Sequence, residues 1–126
     1  MKASTLLLLL AGLSAGVAQA GAVDDLLQGY RAQGAGPFSA ETGAALWTRS
    51  NGAQTCAACH DSHLANPGKH AKTGKAIEPM APSVNAKRLT DAAFIEKWFK
   101  RNCESAWGRT CTAQEKGDFL TYIRSQ

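Results

Sequence analysis

Apolar residues recur at helical spacing in four stretches of the chain, and polar or helix-breaking residues fill the intervals between them. From Asp24 to Gln33, Leu26, Leu27 and Tyr30 share a face, acidic residues occupy the first turn, and Gly34-Ala35-Gly36-Pro37 follows, which predicts a short helix and a break. Ser39 reads as the N-cap of a second helix through about Arg49, with Leu46 and Trp47 on its apolar side and Gly43 where another helix can approach closely. Thr90-Asp91 opens a third helix, whose Phe94, Ile95, Trp98 and Phe99 form an i, i+1, i+4, i+5 stripe ending near Asn102. Thr112-Ala113-Gln114-Glu115 has the form of a capping box, and the helix it starts carries Phe119, Leu120, Tyr122 and Ile123 to the end of the chain. These aromatic and aliphatic side chains are expected in the core. No period-two alternation of useful length appears, so the fold class is all-α.

Between Asp61 and Leu89 the periodicity lapses, and Pro67, Gly68, Gly74, Pro79 and Pro82 punctuate the run. A loop of that length inside a small domain is uncommon unless it has something to wrap. The wrapped object is suggested by the residues just before it.

Cys56-Ala57-Ala58-Cys59-His60 is a C-x-x-C-H run, the attachment signature of a c-type haem. Two thiols add across the porphyrin vinyl groups, and His60 binds the iron from one face. Ile77, Met80 and Val84 in the long loop are then candidates to cover the ring, and some of the helical aromatics expected in the core would touch it as well. A redox cysteine pair would want a βαβ setting, and a zinc site would want a second closely spaced pair. Seven residues separate Cys103 from Cys111, wider than zinc-ligand spacing.

Met1 to Ala20 reads as a secretory signal peptide, with Lys2, an apolar run from Thr5 to Val17, and Ala18-Gln19-Ala20 as the cleavage site. An uncleaved N-terminal anchor is the alternative. Residues 21–37 then form an N-terminal helix and linker, and 38–126 the cytochrome c domain. Export to the periplasm suits both haem attachment and a disulfide, and Cys103 with Cys111 is the economical pair. Removing the leader takes one of 14 Lys+Arg and none of 10 Asp+Glu, leaving 13 − 10 = +3 before the haem propionates are counted. Lys69, Lys72 and Lys75 form a basic cluster that reads either as an ordinary solvated surface or as a docking face for an acidic redox partner. No nucleic-acid motif is present, and a domain this small needs cross-links or a cofactor for much of its stability.

The residue on the other face of the iron decides the function. A thioether or imidazole there makes an electron carrier, and an open or weakly held position admits small molecules. His63 is too near His60 in sequence to reach round, and reads as a surface histidine. His70 sits in the basic cluster on a loop long enough to reach. Met80, in Pro79-Met80-Ala81-Pro82, is placed where an ordinary cytochrome c offers methionine, or packs on the ring. Asn102, on residue grounds alone, is a helix C-cap.

From Phe38 onward the chain resembles the sphaeroides haem protein family, a branch of class I c-type cytochromes. The resemblance rests on Cys56 to His60, Thr73-Gly74-Lys75, Ile77-Glu78-Pro79-Met80-Ala81-Pro82-Ser83, Lys97-Trp98, Arg101-Asn102-Cys103, Gly108-Arg109-Thr110-Cys111-Thr112 and Glu115-Lys116. It implies a class I cytochrome c-like fold and one covalent haem c. It also implies a bridge between Cys103 and Cys111, and Asn102 as the distal iron ligand, with Met80 the alternative. An amide oxygen is a hard donor, adequate for ferric iron and poor for ferrous, so reduction should open the site to oxygen or nitric oxide. A multihaem or membrane-bound cytochrome is the implied electron donor, and a monomer or weak dimer the expected state. Trp107 departs from the smaller aliphatic residue expected in the bridged loop, and either narrows the pocket or covers the haem edge. The rival readings are a plain His60/Met80 electron carrier and an enzyme acting on oxygen, peroxide or nitrogen oxides, for which no acid–base constellation is legible.

Overall fold

A computed structural model describes residues 21–50, 52 and 54–126. The expected signal peptide lies outside the described residues. Helix α1 (Ala22–Ala32) starts with Asp24 and Asp25 in its first turn, where the helix dipole favours negative charge. Helix α2 (Ala40–Thr48) is capped by Ser39, whose side chain accepts from the Thr42 N–H. A short helix α3 (Cys56–His60) follows, capped by Thr55. Strands β1 (Gly68–Lys69) and β2 (Ala76–Ile77) form a small antiparallel hairpin within the long loop, Gly68 opposite Ile77. Helix α4 (Ala92–Trp107) is capped by Asp91, and α5 (Ala113–Arg124) begins with the complete capping box of Thr112 and Glu115.

Helix α4 does not stop near Asn102 as its apolar stripe predicts. It continues to Trp107 and ends at Gly108, which takes the left-handed conformation (φ 68°) at the C-cap. Cys103, Ala106 and Trp107 are buried, and this burial sustains the added turn. Asn102 is thus a helix-interior residue, not a C-cap.

Helix α5 lies at the centre. It crosses α2 at Gly43, where a Cβ would fall 2.2 Å from the Asp118 carbonyl oxygen, so only glycine permits this approach. The buried Asp118 carboxylate accepts from the Ser39 N–H at 2.8 Å, which satisfies the charge and seats the start of α2. Val23, Leu27 and Tyr30 of α1 pack with Ile95 of α4 and Leu120 of α5. Tyr30 donates to Glu96, which also pairs with Lys116 at 2.6 Å, so three helices share one polar junction. A second core cluster joins Leu46, Trp47, Leu64, Trp107, Phe119 and Ile123. Among the described residues no helix is long and apolar enough to cross a membrane.

Candidate functional site

Helix α3 carries the C-x-x-C-H motif. The Thr55 side chain accepts from the Ala58 N–H at 3.0 Å and starts the turn. In a helix, residues three apart share a face, so Cys56 and Cys59 present their thiols together. Both are free cysteines. They border a cavity of about 1130 Å³ together with His60, Met80, Asn102 and Trp107. Its walls are otherwise largely apolar, including Ile77, Leu89, Ile95, Phe99 and Phe119.

Burial pushes the Cys56 thiol up to about 11, whereas a redox or metal-binding cysteine needs a thiolate. Among the described residues no group of three or more His, Cys, Asp or Glu could hold a metal ion.

His60 is held from two sides. Its ring lies 5.7 Å from that of Trp47, whose indole N–H donates to the Asp61 carbonyl at 2.8 Å. Gly68 of β1 presses on the motif from the hairpin side, where a Cβ would meet the Cys59 carbonyl oxygen at 2.1 Å. Burial, with the Arg88 charge second, pushes the imidazole down to about 4, so near pH 7 it is neutral with a free lone pair. Its buried Nδ1 has no hydrogen-bond partner among the described residues.

Arg88 sits half-buried in the cavity wall. Its Nε–H donates to the Pro79 carbonyl at 2.9 Å and its Nη2 to the Glu78 carbonyl at 2.6 Å. Neutral carbonyls orient the guanidinium without cancelling its charge, an environment suited to a carboxylate-bearing ligand. A large apolar cavity, two thiols at its edge, a neutral imidazole and a cationic wall together fit a covalently attached haem.

The remaining candidates separate clearly. Phe94, Trp98 and Asn102 stand one turn apart on α4 and all border the cavity. This explains why Phe94 and Trp98 are 51% and 39% exposed although the pattern placed them in the core. Met80 also borders it, but its N–H and that of Ala81 both donate to the Leu64 carbonyl at 2.9 Å, binding it to the loop just after His60. His70 borders the cavity too, and its Nδ1 accepts from the Lys72 and Thr73 N–H groups at 3.3 and 3.2 Å. His63 is exposed and does not border it, the surface position expected for it, whereas Val84, expected to cover the ring, is also exposed and does not border it because its side chain stands out from the loop. Cys103 and Cys111 are disulfide-bonded, with Cα atoms 5.7 Å apart. Trp107 is buried against Phe119, ring centroids 5.7 Å apart and planes 29° from parallel, so it forms cavity wall.

The family described as a domain of unknown function (DUF1924) matches residues 33–123. The cytochrome c-type protein SHP of Cereibacter sphaeroides is 40% identical over 97% of this chain and 99% of its own length. Cytochrome c'' of Methylophilus methylotrophus is 40% identical over 63% of this chain and 55% of its own. Among solved structures, oxidized SHP, an oxygen-binding cytochrome c, superposes with a TM-score of 0.75 at 38% identity, covering 84% of this chain and 98% of that one. Oxidized cytochrome c'' superposes with a TM-score of 0.73 at 33% identity, covering 83% and 94%. Extended likeness to SHP, the helical fold and a cavity edged by Cys56, Cys59 and His60 converge: the chain belongs to the sphaeroides haem protein family of c-type cytochromes, with one covalently bound haem c.

Proposed function

We propose that this protein is a periplasmic monohaem cytochrome that accepts electrons and binds a small diatomic ligand, oxygen or nitric oxide, at an iron ligated by His60 and Asn102. The observation that carries the reading is the placement of Asn102: it borders the same cavity as His60, one residue before a disulfide-bonded cysteine. Bound haem supplies an iron that changes oxidation state and takes up a ligand. Everything else falls to the side chains.

Cys56 and Cys59 attach the cofactor, and His60 offers a neutral imidazole. Asn102 is exposed and borders the cavity, so its amide can turn without disturbing the buried core. Its oxygen is a hard donor, which would suit ferric iron and would hold ferrous iron poorly. The oxygen binding named for SHP supports carrying ligand binding to this chain. So does a cytochrome c'' solution structure, 33% identical with a TM-score of 0.70, that concerns haem-ligand detachment. Met80 is the alternative distal ligand. Its attachment to the Leu64 carbonyl, four residues beyond His60, argues for a packing role instead. The electron donor is a multihaem or membrane-bound cytochrome, approaching a monomer or weak dimer.

The deciding experiment is the absorption series of ferric, ferrous and ferrous carbon-monoxide forms for wild type and Asn102→Ala. The expected result is a ferric spectrum that changes on substitution and a reduced wild type that binds carbon monoxide. A reduced form that stays low-spin, with an unchanged ferric spectrum in Asn102→Ala, assigns the plain His60/Met80 carrier instead.

A further inference from the structure

Trp107 lies in an electrostatic clamp. The Arg49 guanidinium carbon is 4.4 Å from the indole centroid and that of Arg109 is 5.3 Å, both in cation–π range. Glu115 holds both cations: Arg49 Nη2 donates to Oε1 at 2.9 Å, Arg109 Nη2 to Oε1 at 2.8 Å and Arg109 Nη1 to Oε2 at 2.9 Å. The Thr112 N–H also donates to Oε2 at 2.9 Å. The indole N–H of Trp107 donates in turn to the Arg49 carbonyl at 3.3 Å.

This arrangement ties three helix ends together. Arg49 is the C-cap of α2, Trp107 the last residue of α4, and Glu115 lies in the first turn of α5. An isolated exposed ion pair contributes little. Here the two arginine side chains are 41% and 43% exposed, but the shared carboxylate is only 15% exposed and one of its partners is a two-pronged guanidinium. Asn102 is five residues before Trp107 in the same helix, so whatever fixes the end of α4 fixes the main chain from which Asn102 projects.

We propose that Glu115 is a positioning residue for Asn102: by holding Arg49 and Arg109 over Trp107 it locks the end of α4, so that Asn102 meets and leaves the iron by side-chain rotation from a fixed helix. The inference rests on Asn102 being the distal ligand. A misplacement of a fraction of an ångström is enough to weaken a ligand whose geometry must be held closely. The disulfide to Cys111 remains when the clamp is broken, so the helix end loosens without coming free.

The test is azide affinity of the oxidised holoprotein beside carbon monoxide affinity of the reduced form, in wild type, Glu115→Gln and Asn102→Ala. Azide binds the fraction of ferric protein from which Asn102 is displaced, so its apparent affinity rises as that fraction rises. Glu115→Gln is expected to tighten azide by about threefold to tenfold and to leave carbon monoxide unchanged. Arg49→Gln, at a more exposed position, is expected to move azide in the same direction and stands in if Glu115→Gln does not fold. If Asn102→Ala tightens azide and neither clamp variant does, the positioning role is wrong while Asn102 ligation stands. If the clamp variants shift azide and carbon monoxide alike, the effect is general loosening and the proposal is overturned. If Asn102→Ala itself leaves azide unchanged, the distal assignment fails and this inference falls with it.

Discussion

The indole N–H of Trp47 donates to the main-chain carbonyl of Asp61 at 2.8 Å, joining α2 to the residue that follows His60. Asp61 has φ 68° and ψ 156°, a region occupied almost only by glycine. Its side chain accepts from the His63 N–H at 2.8 Å. The chain is thus held in a strained turn just beyond His60, with Trp47 bonding it from the core side. Trp47→Phe keeps a ring beside His60 but leaves this carbonyl without its indole donor. It should destabilise the haem-loaded protein by about 1–3 kcal/mol, read as a lower urea midpoint. An unchanged midpoint would show that the turn is maintained by other contacts.

Glycine positions offer a contrast within one fold. A Cβ on Gly68 would lie 2.1 Å from the Cys59 carbonyl oxygen and 2.9 Å from the His60 Cα, both main-chain atoms. Gly68→Ala therefore forces β1 away from the haem motif, at a cost of about 1–3 kcal/mol, and should lower the fraction of purified protein that carries covalent haem. A Cβ on Gly29 in α1 meets nothing within 4 Å. Gly29→Ala should raise stability by about 0.5–1 kcal/mol through the helix preference of alanine. Equal effects of the two substitutions on the melting temperature would contradict this assignment.

Local chemistry was the part of the structure open to reading in advance. Ser39, Asp91 and Thr112 cap the helices they were expected to cap, because an N-cap side chain bonds a backbone N–H only two or three residues away. Gly43 marked a close helix approach, and Cys103 pairs with Cys111. The added turn of α4 was hidden, since Cys103 to Ala106 has no strong helix signal and its burial depends on partners elsewhere. The clamp was hidden for the same reason. Trp107 bonds Arg49 across 58 residues, and Gly68 reads as a loop breaker until the hairpin is seen against α3. Periodicity does not tell which aromatics of the stripe line the cavity, as Phe94 and Trp98 do, because a cofactor-facing stripe and a core-facing stripe have the same period.

The clamp carboxylate predicts a pH signature. Hydrogen bonding from Arg109, supported by the Thr112 N–H and Arg49, draws Glu115 from 4.5 down to about 2. A carboxylate with a depressed folded pKa binds protons more readily in the unfolded chain. Its stabilisation is fully present above about pH 5 and is lost as pH falls toward 2. The stability difference between wild type and Glu115→Gln should therefore be constant near neutrality and shrink across that acid window, measured by urea unfolding at a series of pH values. A gap that widens on acidification has the wrong sign for this pair.

The disulfide makes the last prediction, because it and the clamp restrain the same helix end in different ways. Cys103 and Cys111 are 5% and 7% exposed, eight positions apart in sequence. Closing so short a loop restricts the unfolded chain and stabilises by about 2.5 kcal/mol on the chain-entropy argument. Cys103→Ala with Cys111→Ala removes that constraint while leaving little new polar surface to bury. The double variant should lose about 2–3 kcal/mol in urea unfolding. Its effect should add to that of Glu115→Gln only if the two restraints act independently. They hold one segment, so removing the bridge should leave the clamp as the last anchor of Trp107, and the triple variant should lose more than the sum. Strict additivity would mean that Trp107 is fixed mainly by its contact with Phe119, and that the arginines report its position without setting it.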